Sequence, residues 1–208
     1  MKKLKKKFKL SSQRWISRDQ KDKFTILSKK KGYRSRAYFK LLEVDKKFGL
    51  LKNNLNIIDL GSSPGSWSQL ISHKNKSGLN LSIDKIFMKK INNVTFFQGD
   101  FTDSKTKIKI ENFFKNKKID LILSDIAENT TGNQNLDSIR TNLIAMEVLI
   151  YSNIVLKKNN GKAFIKFFNG LESDNILSYV KNNFSTYKIF KPESSRKISK
   201  EVYMLCIN

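Results

Sequence analysis

Apolar residues recur along this chain in two alternating rhythms, and their order predicts a layered α/β domain. Between Arg36 and Phe48, Tyr38, Leu41, Leu42, Val44 and Phe48 can share one helical face, and Gly49 supplies a helix stop. From Leu55 onward the pattern shifts to short apolar runs bounded by turn residues. Strands are predicted at Ile57–Leu60, Leu79–Asp84, Val94–Gln98, Ile119–Ser124 and Lys162–Phe168. Helices are predicted from about Ser66, within Lys105–Lys115, over Leu136–Leu156 and around Asp174–Phe184. The longest of these is amphipathic, with Ile139, Leu143, Met146, Val148 and Leu149. Thr186–Lys191 and Val202–Ile207 add two final strands. Strands that alternate with helices imply a mainly parallel sheet covered by helices on both faces. Residues 1–32 break the pattern, being rich in lysine and poor in periodic apolar positions. The chain therefore divides into a basic N-terminal arm, 1–32, and an α/β domain, 33–208, with no internal repeat or long linker.

Charge changes the picture more than any other bulk property. The 208 residues suffice for one domain plus an arm and a full core. Against 18 Asp+Glu stand 41 Lys+Arg, a formal net charge of +23. Such an excess favours a polyanionic partner, because neutralising phosphates releases counterions. A coding bias toward Lys, Asn and Ile would produce the same excess, so charge alone does not identify nucleic acid. In the arm, Phe8, Trp15 and Phe24 interleave with basic residues, which suits either RNA contact or a solvated tail. The single Cys206 excludes an internal disulfide and any multi-cysteine metal site, and it reads as a small core residue. The single His73 cannot build a histidine metal cluster and suits a surface or helix-end position. No apolar run approaches membrane-spanning length, and no apolar segment follows the basic N-terminus as a secretory signal requires. The expectation is a soluble, cytoplasmic protein, although a basic organelle-targeting peptide would look similar.

The first strand runs directly into Asp59-Leu60-Gly61-Ser62-Ser63-Pro64-Gly65-Ser66-Trp67. A strand, a glycine turn and a helix in this order form the place where α/β proteins bind adenosine cofactors. Gly61 and Gly65 permit a tight bend and close backbone approach. The turn lacks G-x-G-x-x-G and instead resembles the D-x-G-x-x-P-G turn of S-adenosylmethionine methyltransferases. That likeness makes Gly61, Ser63, Pro64, Gly65 and Trp67 cofactor-binding candidates, with an ordinary α/β turn as the bland alternative. Three carboxylates stand at predicted strand ends, where open α/β sheets bind ligands. Asp84 can accept hydrogen bonds from ribose hydroxyls, Asp100 in Gln98-Gly99-Asp100-Phe101 can reach an adenine amino group, and Asp125 closes the fourth strand. Each taken singly serves equally well as a cap or turn residue.

Lys166 is the sharpest anomaly. It interrupts the apolar strand Ala163-Phe164-Ile165-Lys166-Phe167-Phe168. A buried ammonium must meet carboxylates or reach solvent, so Lys166 either snorkels from an edge strand or pairs with Asp125 on the neighbouring strand.

Taken together, these segments resemble the FtsJ/RrmJ-type ribosomal RNA 2′-O-ribose methyltransferases. The likeness rests on Tyr33-Arg34-Ser35-Arg36-Ala37-Tyr38-Phe39-Lys40-Leu41, the turn Asp59–Trp67, Gln98–Phe101, Ser124-Asp125-Ile126-Ala127 and Lys166-Phe167-Phe168. It extends to the tail Lys191–Arg196 and Ser199–Tyr203, and so covers nearly the whole chain after the basic arm. The resemblance implies a Rossmann-like methyltransferase fold, with seven strands, the last antiparallel. It also implies S-adenosylmethionine as cofactor, no metal, and a catalytic tetrad that maps onto Lys40, Asp125, Lys166 and Glu201. Asp125 and Lys166 sit near the ends of parallel strands. An antiparallel last strand starts at that same edge, bringing Glu201 there, and the helix carrying Lys40 can fold over it.

A ribose 2′-hydroxyl is a weak nucleophile, so methyl transfer needs in-line placement and help with the hydroxyl proton. Lys166 acts either as a neutral general base or as a charged group that stabilises the developing alkoxide. Lys40 lowers its proton affinity, while Asp125 and Glu201 raise it. Glu128 stands where the family usually has proline after the Asp125-Ile126-Ala127 segment, and Ser62, Ser63 and Ser66 replace small residues of the turn. The implied activity is methylation of a uridine 2′-hydroxyl in the aminoacyl-tRNA-binding loop of large-subunit ribosomal RNA, by a monomer. The alternatives are a transfer-RNA or messenger-cap ribose methyltransferase, and a non-catalytic RNA-binding protein of the same fold. Amine methylation lacks its usual proline-aromatic motif after Asp125, and carbon-5 methylation lacks a suitably placed cysteine.

Overall fold

Successive side chains of a strand point to opposite faces, so a strand covered on both faces must be apolar at nearly every position. The computed structural model, which describes residues 22–115, 117–127, 131–170, 172–196 and 198–208, shows that arrangement. Seven strands form one sheet: β1 (Asn56–Leu60), β2 (Leu79–Asp84), β3 (Thr95–Gln98), β4 (Leu121–Ser124), β5 (Lys162–Phe168), β6 (Thr186–Phe190) and β7 (Glu201–Ile207). Their order is β3-β2-β1-β4-β5-β7-β6. β7 runs antiparallel to both its neighbours, and the other pairings are parallel. The described helices are α1 (Lys23–Lys30), α2 (Ala37–Phe48), α3 (Ser66–Lys74), α4 (Ser104–Phe114), α5 (Gln134–Val155) and α6 (Ser173–Asn183).

Alternate strand residues feed two separate cores. Ile58, Leu60, Ile122, Ile165, Phe167 and Met204 face α4, α5 and α6, burying Ile110, Phe114, Val148, Leu149, Ile176 and Val180. Cys206 is buried in this layer as a free thiol, and burial pushes it up to about 12. On the other face Ile57, Leu123, Phe164, Tyr203 and Leu205 meet α2 and α3 through Tyr38, Leu41, Val44, Trp67 and Leu70. Phe164 stacks on Tyr203 with centroids 4.9 Å apart, and Trp67 leans on both.

Local signals close the helices much as the sequence suggests. Gly49 takes φ 59° after α2 and returns its N–H to the Asp45 carbonyl at 2.8 Å. Asp103 caps α4 through the Lys105 amide, and Asn133 caps α5. His73 is exposed in the last turn of α3.

α1 is the element that apolar periodicity does not announce. Asp22 caps it by accepting from the Phe24 and Thr25 amides at 3.1 and 3.0 Å. Phe24 then packs on Phe39 of α2 at 5.3 Å, and Arg36 pairs with Asp22 at 2.5 Å. The end of the basic stretch is thus folded against the domain, while Phe8 and Trp15 lie outside the described residues. No described helix is long and apolar enough to cross a membrane.

Because β7 is reversed, its first residue, Glu201, pairs with Phe168, the last residue of β5. The carboxyl ends of five parallel strands and the start of β7 therefore share one edge. The Phe164 layer beneath that edge is fully buried. Phe164→Ala is expected to cost about 3–5 kcal/mol of unfolding free energy, read from urea denaturation. A loss below about 1 kcal/mol would mean that this layer is not closed.

Candidate active site

Lys166 and Tyr203 are direct register partners across β5 and β7, so their side chains stand together on one face. Glu201, two residues before Tyr203 on the same strand, shares that face. Asp125 follows β4, its amide held by the Leu60 carbonyl at 3.1 Å. Lys40 reaches in from the first turns of α2, where Tyr38, Leu41 and Val44 anchor the helix to the core.

The convergence is tight. Lys166 Nζ lies 3.1 Å from Asp125 Oδ1 and donates to the Asp125 backbone carbonyl at 2.6 Å. The Tyr203 hydroxyl donates to the same Oδ1 at 2.7 Å and accepts from Lys40 Nζ at 3.0 Å. Lys40 Nζ pairs with Glu201 Oε1 at 2.9 Å and stands 4.0 Å from Asp125. The run Glu201–Lys40–Tyr203–Asp125–Lys166 is thus continuous, and its four charged side chains are only 6–18 % exposed. Lys166 does not snorkel from an edge; β5 lies between β4 and β7, and Asp125 receives its ammonium.

These contacts set the electrostatics. Burial works to raise the Asp125 carboxyl, but the charges of Lys166 and Lys40 and the hydrogen bonds from Tyr203 and Lys166 outweigh it, holding Asp125 below its ordinary value. Burial first, then the Asp125 and Glu201 charges, pushes the Tyr203 phenol well above its ordinary value. Tyr203 therefore stays a proton donor to Asp125 at any physiological pH. Its role was not apparent from the sequence. The available signal was a tyrosine two residues beyond Glu201 in an apolar strand, whose buried hydroxyl needs a partner.

Two cavities open on either side of this cluster. One, about 280 Å3, is lined by Gly61, Ser63, Asp84, Asp100 and Asp125, with apolar walls from Ile83, Ile86, Phe101, Ile126 and Ile144. Asp84 accepts from the Ser63 and Ile86 amides at 2.8 and 2.7 Å, which ties the first turn to the loop after β2. Asp100 pairs with Lys85 at 3.0 Å and accepts from Thr102 at its amide and hydroxyl. Burial is more than offset there by Thr102 and Lys85, so its carboxyl is lowered. The other cavity, about 460 Å3, is walled by Lys29, Arg34, Arg36 and Arg196, with Tyr33, Ser35, Ser199, Lys40 and Glu201. Three carboxylates and one cation, Lys85, thus line one side of the cluster, and mostly cations the other.

Pro64, Gly65 and Trp67 are not among the cleft-lining residues. Trp67 is buried in the α2–α3 core, donating its indole N–H to the Ala37 carbonyl at 2.8 Å. Gly65 opens α3 at φ 107°, and a Cβ there would fall 2.5 Å from the Arg34 guanidinium. At Gly61, φ 74°, a Cβ would meet the Ile126 backbone at 2.8 Å, so this glycine lets β1 and the loop after β4 close on each other. Glu128 lies outside the described residues. Among the described residues no group of three or more His, Cys, Asp or Glu side chains could hold a metal ion.

Beneath the turn, Asp59 is fully buried. Its Oδ2 accepts from Ser68 at 2.6 Å, while Oδ1 has no hydrogen-bond partner. Burial, reinforced by Asp125 and Asp84 and opposed by Ser68, pushes its carboxyl up to about 7. Folded Asp59 stays protonated where the unfolded chain has already ionised it, so its stabilising contribution is complete below about pH 4. That contribution is lost as the pH rises from about 4 to about 7. Asp125, lowered in the fold, acts in the opposite sense and only below about pH 4. Asp59→Asn should therefore flatten the fall in unfolding free energy between pH 4.5 and 7, by on the order of 2–4 kcal/mol in denaturant titrations. An unchanged slope would mean that the folded protein holds Asp59 ionised.

Comparison with known proteins gives consistent matches. The family model described as FtsJ-like methyltransferase matches residues 33–208. The Pelagibacter ubique protein named Ribosomal RNA large subunit methyltransferase E is 44 % identical over 195 residues, covering 94 % of this chain and 95 % of that protein. The protein of the same name from Buchnera aphidicola is 43 % identical over 196 residues, with the same coverages. A solved Plasmodium falciparum structure described as a ribosomal RNA methyltransferase superposes with a TM-score of 0.76 at 33 % identity, covering 85 % of this chain and 98 % of that one.

Proposed function

Since the chain belongs to the FtsJ-like methyltransferase family, we propose that it transfers a methyl group from S-adenosylmethionine to a ribose 2′-hydroxyl of large-subunit ribosomal RNA. The observation that carries this reading is the asymmetry of the two cavities across the buried cluster. A ligand with a sulfonium, an ammonium and ribose hydroxyls suits a cleft lined by Asp84, Asp100 and Asp125, whose ionised oxygens are acceptors. Each carboxylate offers more lone pairs than its backbone partners use, and Ile83, Ile86, Phe101 and Ile144 supply apolar surface for a purine. Bound there, S-adenosylmethionine would supply an electrophilic methyl group. A polyanion suits the opposite cavity, where Lys29, Arg34, Arg36 and Arg196 together set a positive field whether or not each one touches a phosphate.

Lys166 is the group assigned to the 2′-hydroxyl. Two of its three ammonium positions are directed at the Asp125 carbonyl and carboxylate, so the nitrogen is held in one orientation. The third position can face the hydroxyl, accepting its proton when the amine is neutral or stabilising the oxygen when it is charged. Asp125 orients Lys166, and Tyr203 and Lys40 hold Asp125. Glu201 balances Lys40. The monomer expected from the resemblance remains part of this reading. The names of the relatives support large-subunit ribosomal RNA as substrate, and the resemblance extends this to a uridine of its aminoacyl-tRNA-binding loop.

Lys166→Ala is expected to lower methyl transfer by at least about 10²-fold while leaving S-adenosylmethionine binding within about threefold. Radiolabelled transfer to large-subunit RNA, with alkaline-resistance mapping of ribose methylation, reads both rate and position. Undiminished transfer in the variant, or label recovered on a base, would overturn the assignment.

A further inference from the structure

Arg34 and Arg36 sit in a basic stretch and wall the cationic cavity, so both invite assignment as phosphate contacts. Three of the five Arg34 donors, and two of those of Arg36, are directed at the protein itself. Arg36 is engaged by the Asp22 carboxylate and the Ser194 carbonyl. Arg34 meets three backbone carbonyls: Nη1 donates to Pro64 and Lys89, each at 2.8 Å, and Nη2 to Lys90 at 2.9 Å. Pro64 belongs to the turn after β1, and Lys89 and Lys90 to the segment after β2. These are the two loops that present Ser63, Asp84 and Ile86 to the acidic cleft. The fork of one guanidinium spans the gap between them.

The surroundings are built for that fork. Gly65 lacks the Cβ that would fall 2.5 Å from Arg34 Nη1. The Arg34 amide donates to Gln69 Oε1 at 2.8 Å, and the neighbouring Ser35 hydroxyl lies 2.7 Å from that of Ser66. Both partners belong to α3, so the strap carrying Arg34 is fixed to the helix that the cofactor turn begins. The glycine that looks, from sequence, like an opening for a ligand is filled by an arginine from the opposite side.

We infer that Arg34 is a positioning residue for the S-adenosylmethionine cleft, clamping its two loops from the RNA side, and not a phosphate contact. This rests on the proposed use of S-adenosylmethionine. A lysine keeps the charge but cannot span three carbonyls with a rigid fork. Losing the clamp leaves three carbonyls to water and frees both loops, which ordering on ligand binding must then restrain.

The test uses the full chain and its Arg34→Ala and Arg34→Lys variants, each checked for cooperative melting. Calorimetry with S-adenosylmethionine alone, without RNA, should show affinity lowered about tenfold or more in both variants. Binding of a large-subunit RNA fragment should stay within about twofold, with the slope of log K against log salt unchanged. Three results would overturn the inference: full S-adenosylmethionine affinity in Arg34→Ala, restored affinity in Arg34→Lys, or a salt slope reduced by about one, as loss of a phosphate contact produces. If Arg34→Ala does not melt cooperatively, Arg34→Lys decides alone, because charge and fork separate in that variant. Failure of the unsubstituted protein to bind S-adenosylmethionine would instead refute the proposed cofactor.

Discussion

The Asp125 carboxylate is the point on which this site turns. Two lysines at the carboxyl edge of the sheet are nearly removed from water, and burying an ammonium without a partner is prohibitively unfavourable. One oxygen of Asp125 faces Lys166 and the Tyr203 hydroxyl together, while Tyr203 and Glu201 engage Lys40. Asp125, Tyr203 and Lys40 each engage at least two other members of the cluster, while Lys166 is held by Asp125 alone and Glu201 by Lys40. That restraint fixes the orientation of Lys166, which the proposed proton transfer to or from a hydroxyl would need. Removing any carboxylate would strand a cation, so the cluster is a structural as well as a chemical unit.

The sheet explains why the cluster lies where it does. Parallel strands β1, β4 and β5 bring Leu60, Ser124 and the end of β5 to one edge, and the reversed β7 delivers Glu201 and Tyr203 there from the opposite direction. The Phe164–Tyr203 stack places the phenol at the top of an apolar layer, with its hydroxyl among the charges. Reversing β7 is thus what allows one strand to supply both a core ring and two polar groups of the site.

Positive charge has several uses in this chain. Lys40 and Lys166 are buried and paired, Arg36 ties α1 to the domain, and Arg34 bridges two loops through their carbonyls. A net charge of +23 therefore overstates the number of cations aimed at a polyanion, although the larger cavity remains predominantly cationic.

Apolar periodicity determined the strands and most helices within a residue or two, because burial on both faces leaves little freedom in which positions are apolar. β2 and β5 match the predicted bounds, and α2 starts one residue after the predicted segment Arg36–Phe48 opens. The glycine turn and the Asp residues at strand ends were legible for the same reason, since topology alone places them on one edge. Helix α1 was not, because its stability comes from the Asp22 cap and from Phe24 packing on Phe39, contacts that lie beyond local periodicity. Nor were the inward turn of Trp67, the bridging hydroxyl of Tyr203 and the arginine behind Gly65, all settled by neighbours thirty or more residues away. Local pattern and topology were enough to say which residues could reach the edge; which of them line a cavity and which hold one another came from tertiary packing, because that choice depends on side-chain partners that no local pattern encodes.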